Sequence, residues 1–272
     1  MPAPVNPFKK ALREDTGLLT GLWVALANPH SAEICAGAGF DWILIDAEHG
    51  PNDIPLIAAQ LAAVTRHAAH PVVRLPVGEP WMIKQALDIG AQTLMIPMVE
   101  TPEQATMLAK ALRYPPFGIR GMGASLGRAS DFGRVSDYAD TANDQVCLIA
   151  QIESRLGVEN AGAILAVDGV DAVLIGPADL SADMGYRGKA TVPEVMETVE
   201  VLIGKIKAAG KPAGIMTGDA EMIALARRAG VRFMANGTDT GLLARAAASM
   251  AAEMRNTGGA ASAPAKGAGG YS

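Results

Sequence analysis

The sequence is poor in several features that define whole classes of protein. Only two of its 272 residues are cysteine, and aromatic residues make up 4%. Cys35 and Cys147 lack the spacing of a metal site, so we expect two reduced core residues and no disulfide framework. The formal net charge is −5 at pH 7 and no basic run occurs, which argues against nucleic acid or an anionic membrane as a partner.

Long apolar runs are also missing. No stretch approaches the roughly 20 residues that a helix needs to cross a bilayer. The N-terminal segment Met1–Lys10 contains prolines where a signal peptide needs an apolar region, so we expect a cytoplasmic protein. Asn6 as N-cap and Pro7 at the first helical position instead predict a short helix closing one end of the fold.

Eight short apolar runs, each followed by a helix-like stretch, organise the chain, half of whose residues are hydrophobic. The runs are Leu18–Leu26, Trp42–His49, Val72–Pro76, Thr93–Val99, Val146–Glu153, Ala172–Asp179, Pro212–Thr217 and Phe233–Thr238. Strands that alternate with helices imply parallel pairing through right-handed crossovers, and eight such units suffice to close a barrel. The sequence therefore predicts a single α/β domain, a (β/α)8 TIM barrel.

Two segments depart from this alternation. Residues 257–272 are rich in Gly, Ala, Ser and Pro without apolar periodicity, which predicts a flexible tail outside a barrel domain of residues 1–256. The connection Tyr114–Asp140 is too long for a routine barrel loop and contains five glycines. We expect a structured loop near the active-site end, or one that reaches a neighbouring subunit.

Polar side chains gather where the strands end, the place at which TIM barrels carry out their chemistry. Glu153 ends the fifth run and Asp179 ends the sixth. Two neighbouring carboxylates repel, and a divalent cation such as Mg²⁺ or Mn²⁺ between them would relieve the repulsion. The alternative is that both carboxylates cap the helices that follow them.

A histidine and an arginine end two further runs. His49 stands before a Gly-Pro break, and histidine is the residue type best suited to proton transfer near neutral pH. Arg74 lies among apolar residues and needs an anionic partner, either an acid such as Asp46 or Asp88, or an oxygen of a substrate. Trp23 and Met216 are candidates for pocket walls or for plain core.

The remaining histidines have less distinctive surroundings. His67 and His70 are expected at the end of the second helix, and His30 in a helix-start turn. We expect a structural or solvated role for all three.

Several short motifs follow one another along the chain. They are Gly21-Leu22-Trp23, Asp46-Ala47-Glu48-His49-Gly50-Pro51-Asn52-Asp53, Arg74-Leu75-Pro76, Leu87-Asp88-Ile89-Gly90-Ala91, Pro97-Met98-Val99, Tyr114-Pro115-Pro116 with Gly118-Ile119-Arg120-Gly121, Gln151-Ile152-Glu153, and Ile175-Gly176-Pro177-Ala178-Asp179-Leu180-Ser181. In this order, from about Phe8 to Met254, the chain resembles the metal-dependent class II pyruvate aldolases. That family is typified by 4-hydroxy-2-oxoheptanedioate aldolase, with 2-keto-3-deoxy sugar acid aldolases and hydroxypyruvate aldolases as relatives.

The resemblance implies an activity and a set of catalytic residues. It implies reversible cleavage of a 4-hydroxy-2-oxo acid into pyruvate or hydroxypyruvate and an aldehyde, through an enolate stabilised by Mg²⁺, Mn²⁺ or Co²⁺. Glu153 and Asp179 would bind the ion, and Arg74 would bind the keto oxygen. His49 would move the proton of the aldol hydroxyl, and Asp88 would orient His49, across a subunit boundary if necessary.

The same resemblance implies substrate contacts and an assembly. Gln151, the backbone N–H of Ala178, Asp46, Trp23 and Met216 would contact the substrate. The family is commonly a hexamer built as a trimer of dimers. The loop Arg120–Gly133 would then line a neighbour's pocket, with Met122 and Leu126 at the aldehyde end of the substrate.

Two other functions remain open on the residues alone. A related barrel that acts on a coenzyme A thioester would need a phosphate grip, for which Gly214 and Asn236-Gly237-Thr238 are weak candidates without a basic residue. A binding protein without catalysis is the other, since a fold does not dictate a function. No lysine ends a strand in a matching place, which counts against an aldolase that forms a Schiff base.

Overall fold

Eight parallel strands close into a barrel in chain order in the computed structural model, which describes residues 1–14 and 17–257. The strands are β1 (Leu19–Val24), β2 (Trp42–Asp46), β3 (His70–Arg74), β4 (Thr93–Ile96), β5 (Cys147–Ile152), β6 (Ala172–Ile175), β7 (Ala213–Met216) and β8 (Phe233–Thr238). Pairing of β1 with both β2 and β8 closes the ring. The predicted TIM barrel is confirmed.

Helices follow each strand and cover the barrel. They are α1 (Pro7–Arg13), α2 (Pro29–Ala36), α3 (Ile54–Val64), α4 (Pro80–Asp88), α5 (Pro102–Leu112), α6 (Tyr138–Gln145), α7 (Arg155–Glu159), α8 (Ala161–Leu165), α9 (Pro177–Asp183), α10 (Pro193–Ala208), α11 (Ala220–Ala229) and α12 (Asp239–Thr257). Many begin with a side-chain cap followed by proline, as at Asn28, Asp53 and Thr101. No helix within the described residues is long and apolar enough to span a membrane.

The predicted N-terminal helix α1 closes the end of the barrel at which the strands begin. Asn6 accepts a hydrogen bond from the backbone N–H of Lys9 at 2.9 Å and donates to Thr93 Oγ1 at 3.0 Å. Phe8 packs against the rings of Trp42 and Phe233 inside the barrel mouth. The cap therefore fixes the helix to β4, and its aromatic side chain seals the core.

Several segments depart from a simple alternation of one strand with one helix. The connection after α5 contains two 3-10 turns and α6, and the stretch after β5 is two short helices because Asn160 interrupts it. Cys35 and Cys147 are buried and free, as expected. The predicted tail lies outside the described residues, apart from Thr257 at the end of α12.

His70 is not in a helix, as the sequence suggested, but in the first position of β3, where it is buried. Its ring stacks on Phe8, and its Nε2 lies 3.0 Å from Thr93 Oγ1. Burial lowers the pKa of His70 to about 4, because the charged imidazolium loses its hydration. Of the structural or solvated role expected for His70, the structure shows the structural one, and only its expected place at the end of a helix is wrong.

The buried imidazole predicts acid sensitivity of the fold. Between pH 6.5 and 4 the unfolded chain binds a proton at His70 that the folded chain does not, so the free energy of unfolding falls as the pH drops through this window. The expected loss from this residue is up to about 3 kcal/mol. Urea unfolding of His70→Phe across the window should show a shallower loss than wild type, whereas His30→Gln, at an exposed position, should match wild type.

Candidate active site

The ends of the strands surround a cavity of about 300 Å³, here named the rim cavity. Its lining residues are Trp23, Ala25, Asp46, His49, Arg74, Gln151, Leu174, Gly176, Pro177, Ala178, Asp179, Met216 and Thr238. Most of the residues predicted to contact a substrate thus line one cavity, although they come from six different strands or the loops after them. Parallel pairing explains this, because it brings all carboxyl ends to the same end of the barrel.

Glu153 lies directly after β5 and is held by contacts to both carboxylate oxygens. The backbone N–H of Met98 donates to Oε1 at 2.9 Å, and Gln151 Nε2 donates to Oε2. The alternative that Glu153 caps the next helix is wrong, because the Ser154 side chain accepts from Gly157 N and caps α7 instead. Glu153 is therefore a buried, oriented carboxylate at the edge of the cavity.

The electrostatics around Glu153 favour a cation. Burial raises the pKa of Glu153 most, and the carboxylates of Asp179 and Glu48 raise it further, while the two donated hydrogen bonds lower it. Asp179 lies in the first turn of α9, whose N-cap Gly176 approaches Glu153 so closely that a Cβ on it would lie 2.5 Å from Oε2. A divalent ion would offset this accumulation of negative charge, and two carboxylates are donors suited to Mg²⁺ or Mn²⁺. No group of three or more His, Cys, Asp or Glu side chains gathers as a metal site among the described residues, so a cation here would rest on the acid pair.

Arg74 ends β3 opposite Asp46 of β2 and is almost fully buried. Its Nε donates to Asp46 Oδ1 at 2.9 Å and one terminal nitrogen donates to Oδ2 at 2.7 Å, a bidentate pair. The guanidinium carbon also lies 5.6 Å from the centre of the Trp23 ring. Of the partners considered from the sequence, Asp46 is therefore the one that Arg74 has within this chain.

Glu48 is a member of the site that the sequence analysis did not single out. Its Oε2 lies 2.8 Å from the other terminal nitrogen of Arg74 and 3.9 Å from His49 Nε2. Its contact with Arg74 is an ion pair without hydrogen-bond geometry, since Oε2 has no hydrogen-bond partner. Burial and the carboxylates of Asp46 and Asp179 raise the pKa of Glu48 against the opposing effect of Arg74 and His49. The sequence signal that could have identified Glu48 is its position two residues beyond Asp46, just after a strand.

His49 follows β2 with its side chain exposed toward solvent. Asp46 Oδ1 accepts from the backbone N–H groups of Glu48 and His49, at 3.1 and 3.4 Å. The same carboxylate thus turns the chain after β2 and holds Arg74. Asp46 lines the cavity, but both of its oxygens are already engaged by the protein.

Three predicted residues lie away from the rim cavity within this chain. Helix α4 begins near the carboxyl ends of the strands and finishes at Asp88, at the end of the barrel where the strands begin. There Arg120 donates to Asp88 Oδ1 at 2.7 Å. Met122 and Leu126 belong to the loop that packs on Asp88, and their side chains are exposed. One chain therefore does not bring Asp88 to His49, or the loop to the cavity.

Comparisons with known proteins show which family the chain is similar to. The family model for HpcH/HpaI aldolase/citrate lyase matches residues 19–246. A hydroxypyruvate/pyruvate aldolase of Roseovarius nubinhibens is 52% identical over 255 residues, covering 94% of this chain and 99% of the relative. A 4-hydroxy-2-oxo-heptane-1,7-dioate aldolase of Klebsiella pneumoniae subsp. pneumoniae is 49% identical over 247 residues, covering 91% of this chain and 93% of the relative.

A solved structure extends the agreement to three dimensions. The crystal structure of an HpcH/HpaI aldolase/citrate lyase family protein from Burkholderia cenocepacia J2315 superposes with a TM-score of 0.88 at 41% identity, and the match covers 92% of this chain and all of that one. The predicted resemblance to an aldolase family and the prediction of an enzyme are confirmed. With sequence and fold in agreement, the chain belongs to the HpcH/HpaI aldolase/citrate lyase family.

Proposed function

We propose that this protein is a divalent-metal-dependent aldolase that reversibly cleaves 4-hydroxy-2-oxo acids into pyruvate or hydroxypyruvate and an aldehyde. The observation that carries the proposal is the buried acid Glu153 at the edge of a cavity that Asp179 and Arg74 line. The names of the relatives at about half identity support the same substrate class.

Glu153 and Asp179 would hold the ion, for which Mg²⁺, Mn²⁺ and Co²⁺ are the candidates. When bound, the ion supplies the Lewis acidity that stabilises the negative charge of a pyruvate enolate. Gln151 orients Glu153 through its side-chain amide and would contact the 2-oxo acid as well. Ala178 lines the same cavity, and its backbone N–H would receive the substrate carboxylate.

The other residues would transfer protons and stabilise the negative charge that develops on the substrate. In the cleavage direction the bond between C3 and C4 breaks, its electron pair enters the enolate, and the hydroxyl oxygen on C4 loses its proton as the aldehyde forms. His49 would accept that proton, and a proton returns to C3 to give pyruvate, so that no other reactant is consumed. Asp46 engages Nε and one terminal nitrogen of Arg74, and Glu48 Oε2 lies 2.8 Å from the other without hydrogen-bond geometry, so the terminal N–H groups that neither carboxylate accepts would face the keto oxygen. Trp23 and Met216 would form the apolar walls.

We also propose that the protein forms a homo-oligomer, a hexamer built as a trimer of dimers, in the cytoplasm. Two exposed apolar surfaces support an assembly: the loop bearing Met122, Leu126 and Phe132, and the helix α12 with Leu243 and Met254. In such an assembly the loop and Asp88 of one copy would reach the rim cavity of another. Asp88 would orient the neighbour's His49, and Met122 and Leu126 would meet the aldehyde.

A coenzyme A thioester is a less favourable substrate for this site. Gly214, one of the weak candidates for a phosphate grip, lies beneath the ring of Phe233, where a Cβ would come within 2.2 Å of ring carbons. Thr238 Oγ1 is engaged with Thr240 Oγ1 at 2.7 Å and with the backbone N–H of Gly241. Both residues thus have packing or capping roles. A thermal shift with coenzyme A would separate the two substrate classes.

The experiment is an assay for pyruvate release from 4-hydroxy-2-oxo acids. The purified protein is expected to release pyruvate, to lose at least about 100-fold in rate with EDTA, and to recover with Mn²⁺, Co²⁺ or Mg²⁺. Full activity in EDTA contradicts the metal-dependent chemistry. Binding of the oxo acid without pyruvate release, in every metal, would instead show a binding protein without catalysis.

A further inference from the structure

Arg120 is a buried guanidinium whose only carboxylate partner among the described residues is Asp88. Its side chain is 1% exposed, and one terminal nitrogen donates to Asp88 Oδ1 at 2.7 Å. The guanidinium carbon lies 4.3 Å from the centre of the Tyr114 ring. Nε and the other terminal nitrogen are buried without a hydrogen-bond partner. One aromatic ring and one carboxylate oxygen therefore stabilise a charge that is costly to bury.

The backbone around Arg120 fixes its position. Its N–H donates to the carbonyl of Arg113 at 2.8 Å, and the N–H of Ile119 donates to the carbonyl of Lys110 at 2.8 Å. Gly118 lies so close to this end of α5 that a Cβ on it would collide with the same two carbonyl oxygens. The main chain at Arg120 is thus held by α5, so its guanidinium extends from a fixed base.

Stability alone does not explain the ion pair. Asp88 is the last residue of α4, where the negative end of the helix dipole disfavours a carboxylate, and no basic residue lies in the last turn. A buried guanidinium with two unpaired nitrogens also costs stability, so an apolar contact would attach the loop to α4 more favourably. Local arrangements that cost stability are expected at functional sites.

Asp88 presents one carboxylate oxygen outward. Arg120 occupies Oδ1, no hydrogen bond among the described residues reaches Oδ2, and the Asp88 side chain is 25% exposed. A Cβ on Gly123 would lie 3.6 Å from Oδ2, and Met122 and Leu126 of the same loop are exposed. An oriented carboxylate with a free oxygen, next to exposed apolar side chains, indicates a surface that a neighbouring copy covers.

We propose that Arg120 is a positioning residue, which orients the carboxylate of Asp88 so that Oδ2 accepts a hydrogen bond from His49 of a neighbouring copy. This inference rests on the proposed function and on its assembly, in which Asp88 serves the neighbour's His49. A charge-assisted hydrogen bond is short and directional, so the guanidinium fixes the plane of the carboxylate. The oriented carboxylate in turn fixes the tautomer and the position of the imidazole that moves the proton.

A double-mutant cycle separates positioning from a purely structural role. Arg120→Met should lower kcat for pyruvate release by at least about tenfold and leave KM within about twofold, because it affects proton transfer and not substrate contacts. Asp88→Asn should have an effect of the same kind, and the double variant should fall no further than the less active single variant. Additive losses, or a wild-type kcat in Arg120→Met, would overturn the inference.

Two further variants address folding and specificity. Arg120→Lys keeps the buried charge but lacks the planar fork, so it should fold even if Arg120→Met does not. Its cycle with Asp88→Asn should be non-additive as well, and additivity there counts equally against the inference. Arg113→Lys is the matched control, the same substitution in an ion pair with Asp168, and should keep the wild-type kcat and KM.

Mixed oligomers show which copy Arg120 serves. When Arg120→Met chains are co-expressed with His49→Ala chains, pyruvate release should exceed that of either variant alone. The reason is that some sites then combine an intact His49 from one chain with an intact Arg120 and Asp88 from the other. If Arg120 served the site of its own chain, no site in the mixture would be complete. Activity no higher than that of Arg120→Met alone would therefore overturn the inference.

Failure of the proposed function gives a different result. In that case wild type releases no pyruvate with any metal, and the inference falls with it. An active wild type with additive variants, or with no gain in the mixed oligomers, overturns only the inference about Arg120.

Discussion

Replacing Glu153 with glutamine is expected to lower kcat/KM for pyruvate release by at least about a thousandfold, the equivalent of several kcal/mol of transition-state stabilisation. Glutamine has nearly the same shape and still accepts from the Met98 N–H, so the fold should survive. It lacks the negative charge that would hold the cation with Asp179. Calorimetric titration with Mn²⁺ measures the loss of the ion separately from activity.

The control for this variant is a carboxylate that lies in solvent. Glu197→Gln, on the exposed side of α10, should bind Mn²⁺ and release pyruvate as wild type does. If Glu153→Gln binds Mn²⁺ with wild-type affinity, Glu153 is not a ligand. If it loses the ion but keeps its activity, the ion has no part in the chemistry.

Replacing Arg74 with methionine is expected to remove both activity and stability. The buried carboxylate of Asp46 would lose its bidentate partner, and removing one member of a buried ion pair costs about 3–5 kcal/mol of the free energy of unfolding. Activity should fall by at least about 100-fold, because a donor facing the developing charge of the enolate is lost. Urea unfolding and steady-state kinetics measure the two effects.

A double variant separates the structural effect of Arg74 from its catalytic effect. Arg74→Met with Asp46→Asn leaves no unpaired charge at this pair of positions and keeps an oxygen for the backbone N–H groups of Glu48 and His49, so much of the lost stability should return. Activity should stay low, since the donor is still absent. Recovery of activity together with stability would show that Arg74 acts only by maintaining the fold.

The fold was predictable from the sequence because the barrel repeats one local pattern. Each unit has an apolar run of strand length, then a proline or a cap, then apolar residues at helical spacing, so errors in single boundaries did not change the topology. The acid pair was predictable for the same reason. Once β5 and β6 are neighbours, Glu153 and Asp179, which follow them, lie at one end of the barrel.

Other features depend on contacts between residues far apart in the chain. The sequence pattern predicts His70 at the end of a helix. Packing against Phe8 and Thr93 instead makes it the first residue of a strand. Glu48 looks like a polar residue in a turn, and its relation to Arg74 arises only from the pairing of β2 with β3. The position of Asp88 at the far end of the barrel follows from the direction of α4 and not from the residue itself.

The central claim is that the acid pair and Arg74 stabilise an enolate of pyruvate with the help of a divalent ion. The most direct measurement is exchange of the C3 protons of pyruvate for deuterium, followed by proton NMR in D₂O without any aldehyde. The account predicts that wild type with Mg²⁺ catalyses the exchange, and that EDTA, Glu153→Gln and Arg74→Met each abolish it. Exchange at the wild-type rate in EDTA would contradict the account.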